Sequence, residues 1–313
     1  MAIPSLRCSI IIPTKDRPAG LERAVASALA ALPENAEIVV VDDASTMAVA
    51  DILAPLAHPA LRIVQNPGPH GPSGARNFGA SAARGDVLFF LDDDDELLPE
   101  YCRRVLLRLP ELPESCGFGF CAATGNARDG SRGAGARDEG VIPLTAPLDA
   151  RLAGLGMGFW IRRDLFERLG GLDPQLWVNE DTEFCVRLAR AGVEPHFDPV
   201  PGVALHKDEG RDGRDLSSVT RSARSASRAA GFEYILREHR DFLRDHGAFR
   251  RKTAFRALKY RARAGMVRGW AETCQSLQPG IESFLFRFAG ILWLWAGAVT
   301  ARAGRVSRNR DTA

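Results

Sequence analysis

The run Val87-Leu88-Phe89-Phe90-Leu91-Asp92-Asp93-Asp94-Asp95 decides how this chain folds. Its first five residues have the composition of a fully buried strand, and four carboxylates follow at once. Acidic groups at that density repel one another unless a cation lies among them, and such oxygen ligands suit Mg²⁺ or Mn²⁺. The alternative is an acidic helix start, which the helix dipole also favours. Taken alone, the run supports both interpretations equally.

Short apolar strands alternate with helical patterns in front of this run. Because a helical segment separates each strand from the next, the pattern predicts an α/β fold with a mainly parallel, doubly wound sheet. The expected strands are Ser9–Pro13, Glu37–Val41, Leu61–Val64 and Val87–Leu91, and the expected helices are Leu21–Leu32, Asp51–Leu56 and Ser73–Ala83.

Polar residues directly follow three of these strands. They are the segments from Thr14 to Arg17, Asp42–Asp43 and Asp92–Asp95. In doubly wound sheets, ligands bind beyond the carboxyl ends of the strands. One crevice is therefore expected to collect all three groups, which favours a ligand site over a set of unrelated turns.

The second half of the chain mixes strands, helices and one polar loop. Beyond Gly210 the strand signal gives way to Arg-rich helices, so we predict one domain over residues 1–207 and a basic helical C-terminal region over 208–313. Gly154–Ile161 is expected to be a strand with close backbone approach, and Thr124–Gly140 a loop or a mobile hairpin. The other expected elements are strands at Gly117–Ala123, Glu194–Phe197 and Gly202–Leu205 and helices at Arg163–Leu169 and Asp181–Ala191.

The charge of the chain is spread unevenly, although its net value is only +2. From His206 onward there are 22 Lys and Arg against 11 Asp and Glu, and before it 19 against 28. The acidic front argues against a nucleic-acid groove, and the basic tail suggests an anionic membrane surface as a partner.

In that tail, Phe288–Ala301 is uncharged but shorter than the about 20 residues of a membrane span. An interfacial helix on anionic lipid and a core or dimer helix fit it equally well.

The six cysteines show no paired metal-finger spacing. Several lie in apolar segments, where a free thiol behaves as a small buried hydrophobe. The N-terminus shows no charged leader followed by an apolar region and a cleavage site. The simplest expectation is a reducing cytoplasm, with the chain peripheral at the inner face of the cell membrane.

Short motifs follow one another in a fixed order through roughly residues 6–207. They are Ile12-Pro13-Thr14-Lys15-Asp16-Arg17, Val41-Asp42-Asp43-Ala44-Ser45, Gly74-Ala75-Arg76-Asn77, Phe90-Leu91-Asp92-Asp93-Asp94-Asp95, Gly170-Gly171-Leu172-Asp173 and Asn179-Glu180-Asp181-Thr182-Glu183-Phe184-Cys185-Val186-Arg187-Leu188. Together they resemble the family 2 glycosyltransferases, which use nucleotide sugars and have the fold called GT-A. Ala44 stands where the family usually has Gly, and Glu183 where it has a second Asp.

The resemblance implies roles for the strand-end residues toward a nucleoside diphosphate sugar, with a UDP-sugar as the first candidate. Asp43 would accept a hydrogen bond from the base, and Thr14 would line the same pocket. Arg76 would reach the diphosphate or the base. The Mn²⁺ or Mg²⁺ ion would be held by two carboxylates of the central motif, with the others as ribose contacts or supporting groups. Asp94 is the first candidate ligand and Asp92 the second, while Asp93 and Asp95 are the others.

Two residues later in the chain complete the implied site. Asp181 matches the catalytic base, which removes a proton from the acceptor hydroxyl in a single displacement that inverts the anomeric centre. His206 ends a strand where relatives often place a histidine facing the diphosphate or metal, although a structural role suits it equally well. The implied acceptor is a glycan or a lipid-linked sugar in cell-surface glycan or polysaccharide synthesis.

Two other functions compete with this interpretation. A nucleotidyltransferase would favour a Gly-rich basic segment after the first strand, and Pro13–Gly20 lacks one. A catalytically inactive binding or scaffold subunit would have no need to keep Asp43, Asp94 and Asp181 together.

Overall fold

The structure, a computed structural model, describes residues 6–125, 138–206 and 225–266. The chain divides into two compact units, Met1–Ser217 and Ser218–Ala313. The predicted boundary between residues 207 and 208, most of the predicted loop over 124–140 and the apolar tail segment over 288–301 lie outside the described residues. These three expectations remain predictions.

The first unit is built on one mixed sheet. Its strands are β1 (Cys8–Thr14), β2 (Glu37–Asp42), β3 (Leu61–Gln65), β4 (Val87–Phe90), β5 (Glu96–Leu97), β6 (Cys116–Gly125), β7 (Gly140–Val141), β8 (Trp160–Arg162) and β9 (Glu194–Leu205). Their order in the sheet is β3-β2-β1-β4-β8-β6-β9-β5, and β7 pairs with β9. The pairs among β1 to β4 are parallel, as predicted, whereas β8 runs antiparallel to both β4 and β6.

Helices cover both faces of this sheet. The helices of the first unit are α1 (Pro18–Ala30), α2 (Val49–Leu53), α3 (Pro72–Ala82), α4 (Tyr101–Arg108), α5 (Arg163–Arg168) and α6 (Glu180–Arg190). The even-numbered side chains of β1, such as Ile10 and Ile12, pack with α1, α2 and α4. Ile11, on the other face, packs with α3, α5 and α6. The alternation of side chains along each strand therefore produces two apolar layers, one on each face.

The carboxyl ends of the parallel strands meet at one edge of the sheet. Thr14 at the end of β1 is in register with Asp42 at the end of β2. The backbone pairing continues one residue further, because the Asp43 amide donates to the Thr14 carbonyl at 2.9 Å and the Leu91 amide donates to the Ile11 carbonyl at 3.0 Å. The three polar strand ends thus emerge side by side, as expected from the sequence.

Two predicted elements differ from the structure. The expected strand over Gly154–Ile161 is a turn followed by the short strand β8, with Gly158 in the left-handed region at φ 61°. The two strands expected within residues 194–205 are one continuous strand, β9, whose pairing with β6 shifts register between Cys121 and Ala123. The first prediction was wrong because an apolar, Gly-rich run does not by itself distinguish a strand from a tight turn. The second was wrong because the prolines at 199 and 201 indicate a break, whereas β9 accommodates them at its register shift.

The turn after β2 places Ala44 in the left-handed region, at φ 64°. The Ser45 amide in this turn donates to the Asp42 carboxylate at 2.8 Å. An L-residue costs about 1–2 kcal/mol in such a conformation because its Cβ crowds the backbone. The residue that the family usually has here, glycine, avoids that cost.

We therefore expect Ala44→Gly to raise the free energy of unfolding by about 0.5–1 kcal/mol, since the relieved strain exceeds the extra unfolded-state freedom of glycine. Urea denaturation of both proteins measures the difference. Ala57→Gly is the matched control, because Ala57 is exposed and has an ordinary φ of −54°. That variant should be destabilised instead, and an equal loss in both variants would contradict the argument.

The described part of the second unit is a pair of helices, α7 (Ser225–Glu238) and α8 (Gly247–Arg263). Phe232 of α7 stacks on Tyr260 of α8, with ring centroids 6.1 Å apart. The Arg261 guanidinium, largely buried, pairs with Glu233 across the helices. Among the helices that the structure describes, none combines the length and the apolar character needed to cross a membrane.

Candidate active site

Three carboxylates lie close together in the segment after β4. Asp92, Asp94 and Asp95 each offer an oxygen, and these atoms all lie within 4.8 Å of one another. Burial, together with the charge of Asp92, raises the pKa of Asp94 to about 6 and that of Asp95 to about 8. Burial is the larger cause of both shifts, and repulsion between the neighbouring carboxylates adds to it. A dense set of hard oxygen ligands suits a divalent cation.

Two arginines from different elements reach into the same cluster. Arg17, at the start of α1, places Nη1 2.8 Å from Asp93 and 2.9 Å from Asp94. Arg76, in α3, places Nη2 2.6 Å from Asp92. Burial disfavours both charged guanidinium groups, but the carboxylates outweigh it and the pKa of each arginine is raised. Both side chains therefore remain cations in the crevice.

Each of these arginines has a buried nitrogen atom with no hydrogen-bond partner in the part of the chain that the structure describes. The atoms are Nη2 of Arg17 and Nε of Arg76. A buried unpaired donor is costly, and a ligand or water that accepts from it would remove that cost. Two guanidinium groups with spare donors beside an acidic cluster fit a diphosphate held together with a cation.

Asp93 is not one of the three clustered carboxylates, and it contacts the end of β1. The Thr14 hydroxyl donates to its Oδ2 at 2.7 Å, and Arg17 binds its Oδ1. Burial raises the pKa of Asp93 despite these contacts. The predicted pocket residue Thr14 is thus linked to the central motif directly, whereas its only bond to Asp43 is through the backbone.

Asp43, at the end of β2, is buried and held by three donors. Asn66 donates from Nδ2 to Oδ1 at 2.7 Å, the His70 ring contacts the same oxygen at 2.9 Å, and the Gly71 amide donates to Oδ2 at 2.8 Å. A carboxylate has about four acceptor positions. The arrangement fixes the side chain and leaves it capacity for one more donor, which is what a base-reading role requires.

Asp181 lies in the first turn of α6, where the sequence predicted it. Its Oδ1 accepts from the Thr182 amide at 2.6 Å, and burial raises its pKa. Its neighbour Glu180 accepts from Arg76 at 3.1 Å, and burial, followed by the charge of Asp181, raises the pKa of Glu180 to about 7. Because Arg76 also binds Asp92, one guanidinium connects the helix that carries Asp181 to the acidic cluster.

The turn before β8 forms part of the wall between these two groups of carboxylates. A Cβ atom built on Gly156 would lie 2.9 Å from Oδ2 of Asp92, and one on Gly154 would lie 3.3 Å from Oδ2 of Asp181. The close backbone approach predicted for this segment is therefore confirmed, although the strand is not. Glycine at 156 lets the main chain reach the cluster without a side chain in the way.

His206 lies beside the cluster, but its ring faces elsewhere. The β5–β9 pairing brings the end of β9 to the acidic run, where the His206 amide donates to Asp95 at 2.9 Å. The ring Nε2 lies 2.8 Å from Glu96. The three carboxylates that the structure groups are thus Asp92, Asp94 and Asp95, and a ligand role for the His206 ring stays a prediction.

Several contacts at this site were not expected from the sequence. His70 had no interpretable context, and Arg17 and Asn66 had no assigned role, yet all three bind site carboxylates. A signal existed for Arg17, because it lies in the polar segment after β1 that the sequence places at the ligand-binding edge.

Two tryptophans lie in the later part of the first unit. Trp160 is buried at 1% exposure, whereas Trp177 is 57% exposed and its ring lies against Gly71.

The family described as Glycosyl transferase family 2 matches residues 9–170, just over half of the 313 residues. An uncharacterized glycosyltransferase of Haemophilus influenzae is 29% identical over 61% of this chain and 64% of its own length. The pre-mycofactocin glycosyltransferase of Mycobacterium tuberculosis is 28% identical over 65% and 44%. The succinoglycan biosynthesis protein ExoO of Rhizobium meliloti is 42% identical over 28% and 25%. The matches span less than two thirds of these curated relatives.

Two solved structures share the fold. S. aureus TarS 1-349, in complex with UDP-GlcNAc, has a TM-score of 0.64 at 18% identity and is matched over 96% of this chain and 92% of its own. The mannosyltransferase PcManGT of Pyrobaculum calidifontis, in complex with GDP-Man and Mn²⁺, has a TM-score of 0.61 at 20% identity, over 94% and 86%. The α/β fold with its polar strand ends is therefore the GT-A fold, and by the family match this chain belongs to glycosyltransferase family 2.

Proposed function

We propose that this protein transfers a sugar from a nucleoside diphosphate sugar to an acceptor hydroxyl, in a metal-dependent reaction that inverts the anomeric centre. The observation that carries the proposal is the connection made by Arg76. Its guanidinium contacts Asp92 in the acidic cluster and Glu180 beside Asp181. A group suited to bind phosphate thus joins the cation site to the start of the helix that carries Asp181, the carboxylate suited to act as a base.

The nucleotide half of the donor is assigned to the ends of β1 and β2. Asp43 has acceptor capacity for one N–H of a base and is held in place by three donors. Arg17 and Arg76 supply spare N–H donors for phosphate oxygens. A UDP-sugar is the first donor to test, since TarS binds UDP-GlcNAc, and a GDP-sugar is the second, since PcManGT binds GDP-Man.

The cation is assigned to Asp92, Asp94 and Asp95, with Mn²⁺ or Mg²⁺ as the ion. The residues fit such an ion, because each offers one oxygen within 4.8 Å of the others and carboxylate oxygens suit a hard divalent cation. When bound, the ion neutralises charge on the diphosphate as it leaves. The protein's own contribution there is to hold the carboxylates through Arg17, Arg76 and the His206 amide.

The acceptor side is assigned to the start of α6. Asp181 accepts the proton of the attacking hydroxyl, and the Thr182 amide holds its carboxylate in place. Trp177, exposed in the loop before α6, offers an aromatic face on which a sugar ring can stack. A glycan or lipid-linked acceptor, and a place in polysaccharide synthesis, are supported by the similarity to ExoO.

A donor screen tests the proposal. The full-length protein is titrated with UDP, GDP and dTDP, each with Mn²⁺ and with a chelator, and then supplied with the matching sugar donors. We expect one diphosphate to bind clearly more tightly when Mn²⁺ is present. We also expect slow release of that diphosphate from its sugar donor, with water taking the sugar in place of the acceptor hydroxyl. Binding of nucleoside triphosphates with release of pyrophosphate would instead favour the nucleotidyltransferase alternative.

Peripheral membrane association is a further part of the proposal and rests on sequence alone. The 288–301 segment is uncharged and flanked by arginines, which suits the interface of an anionic membrane. We expect the full-length protein to float with anionic liposomes at low salt and less at high salt, and a variant ending at Gly280 to stay unbound. Equal flotation of both proteins would refute a role for the segment.

A further inference from the structure

We propose that Arg17 is the internal counter-ion of the acidic cluster and that it makes the divalent cation and the nucleoside diphosphate bind together. This inference rests on the proposed function, because it concerns the same site. It adds a positioning residue for which the sequence offered no role. Three observations carry it.

The first observation is that Arg17 already binds a carboxylate of the cation cluster. Its Nη1 lies 2.9 Å from Oδ2 of Asp94 and 2.8 Å from Oδ1 of Asp93. Asp94 is one of the three residues whose oxygens lie within 4.8 Å of one another. A cation that arrives alone must therefore compete with a guanidinium for Asp94.

The second observation is the charge around the cluster. Arg76 pairs with Asp92 as Arg17 pairs with Asp93 and Asp94, so the two arginines offset much of the negative charge that would attract a free ion. A diphosphate brings new negative charge and oxygens that a guanidinium binds strongly. Arg17 can then exchange Asp94 for a phosphate oxygen, which leaves Asp94 to the cation.

The third observation is that Arg17 has an unused donor and space in which to move. Its Nη2 is buried and has no hydrogen-bond partner among the described residues. Arg17 also lines a cavity of about 200 Å³, together with Thr14, Pro18, Ser45 and Thr46. The cavity gives the side chain space in which to turn when it releases Asp94.

The test compares two affinities by calorimetry on the full-length protein. One is for Mn²⁺ alone, and the other is for the diphosphate selected in the donor screen at saturating Mn²⁺. In Arg17→Gln we expect Mn²⁺ alone to bind about 10-fold more tightly. A neighbouring cation lowers the affinity of a carboxylate for a proton by about that factor or more, and its removal should act in the same way on a metal ion. We expect the diphosphate to bind about 10- to 100-fold more weakly, the range for one charge-assisted hydrogen bond. Arg17→Lys should lie between wild type and Arg17→Gln in both affinities.

Arg23→Gln is the matched control. Arg23 lies in the same helix and its Nη2 donates to the Asp94 carbonyl at 2.7 Å, so the variant removes an equal charge nearby without touching the Asp94 carboxylate. It should not shift the two affinities in opposite directions. If Arg23→Gln does shift the two affinities in opposite directions, removal of any nearby positive charge explains the result, and the proposal for Arg17 is refuted.

Two other results overturn the inference. If both affinities fall together in Arg17→Gln, Arg17 merely maintains the shape of the site. If both are unchanged, it has no part in binding. A wild-type protein that binds no diphosphate refutes the proposed function and the coupling, while the Mn²⁺ titration still shows whether Arg17 competes for Asp94.

Discussion

Replacement of Asp181 by asparagine should lower the rate of sugar transfer by about two to four orders of magnitude and leave donor affinity nearly unchanged. The amide has almost the same shape but cannot take a proton from the acceptor hydroxyl. Because the base acts on the acceptor in the transition state, its loss appears in turnover and not in the binding of the donor. Single-turnover transfer and calorimetric titration of the diphosphate, with Mn²⁺, measure the two quantities separately.

Glu180→Gln is the matched control for this variant. Glu180 is the adjacent acid, but it binds Arg76, so its loss should disturb the diphosphate site more than proton removal. A pH profile adds a second readout. Burial raises the pKa of Asp181, and only the unprotonated form acts as a base, so wild-type transfer should fall on acidification at a higher pH than an ordinary aspartate would give. Near-normal turnover in Asp181→Asn would move the base to another residue.

The second large effect is expected from Asp94→Asn. This change keeps the size of the side chain but removes a charge from the cluster formed with Asp92 and Asp95. Loss of a residue that only hydrogen-bonds to a metal ligand lowers metal affinity by about 10- to 100-fold. Loss of the charge of a ligand itself should therefore lower the affinity for Mn²⁺ by at least about 100-fold. Diphosphate binding should then become nearly the same with Mn²⁺ and with a chelator, as measured by calorimetry.

Asp86→Asn serves as the control for this charge change. Asp86 precedes β4 at its opposite end, where its carboxylate accepts from the Arg7 amide at 2.9 Å. Asp86→Asn therefore changes the net charge of the protein by the same amount as Asp94→Asn, but far from the carboxyl ends of the strands. Unchanged metal dependence in Asp94→Asn would remove Asp94 from the cation site, and equal losses in both variants would indicate a nonspecific effect of charge.

The parallel part of the fold was predictable because its signal is local. Each apolar strand from β1 to β4 is followed by polar residues, and the rule that parallel strands share one ligand-binding edge brings Thr14, Asp43 and Asp92 together. The structure confirms that convergence. The start of α6 at Glu180 agrees with the acidic pair that the sequence places there.

The contacts that could not be predicted join residues far apart in the chain. His206 reaches Asp95 because β5, only two residues long, pairs with the end of β9, and no periodic pattern marks so short a strand. The His70 contact with Asp43 depends on the path of the loop after β3. Arg17 and Asp94 are far apart in the sequence and belong to different elements. Their pairing depends on the directions in which their side chains leave the strand ends, which no sequence pattern marks.

The turn before β8 has a consequence for recombining members of this family. A hybrid enzyme that joins residues 6–95 of this chain to the later part of a relative, in order to change the acceptor, places the relative's version of that turn against this chain's Asp92. A Cβ at position 156 would lie 2.9 Å from the Asp92 carboxylate. An imported segment with any larger residue there would push that carboxylate aside, however well its own core packed. Parents for such hybrids are therefore best selected first by the presence of glycine at this one position.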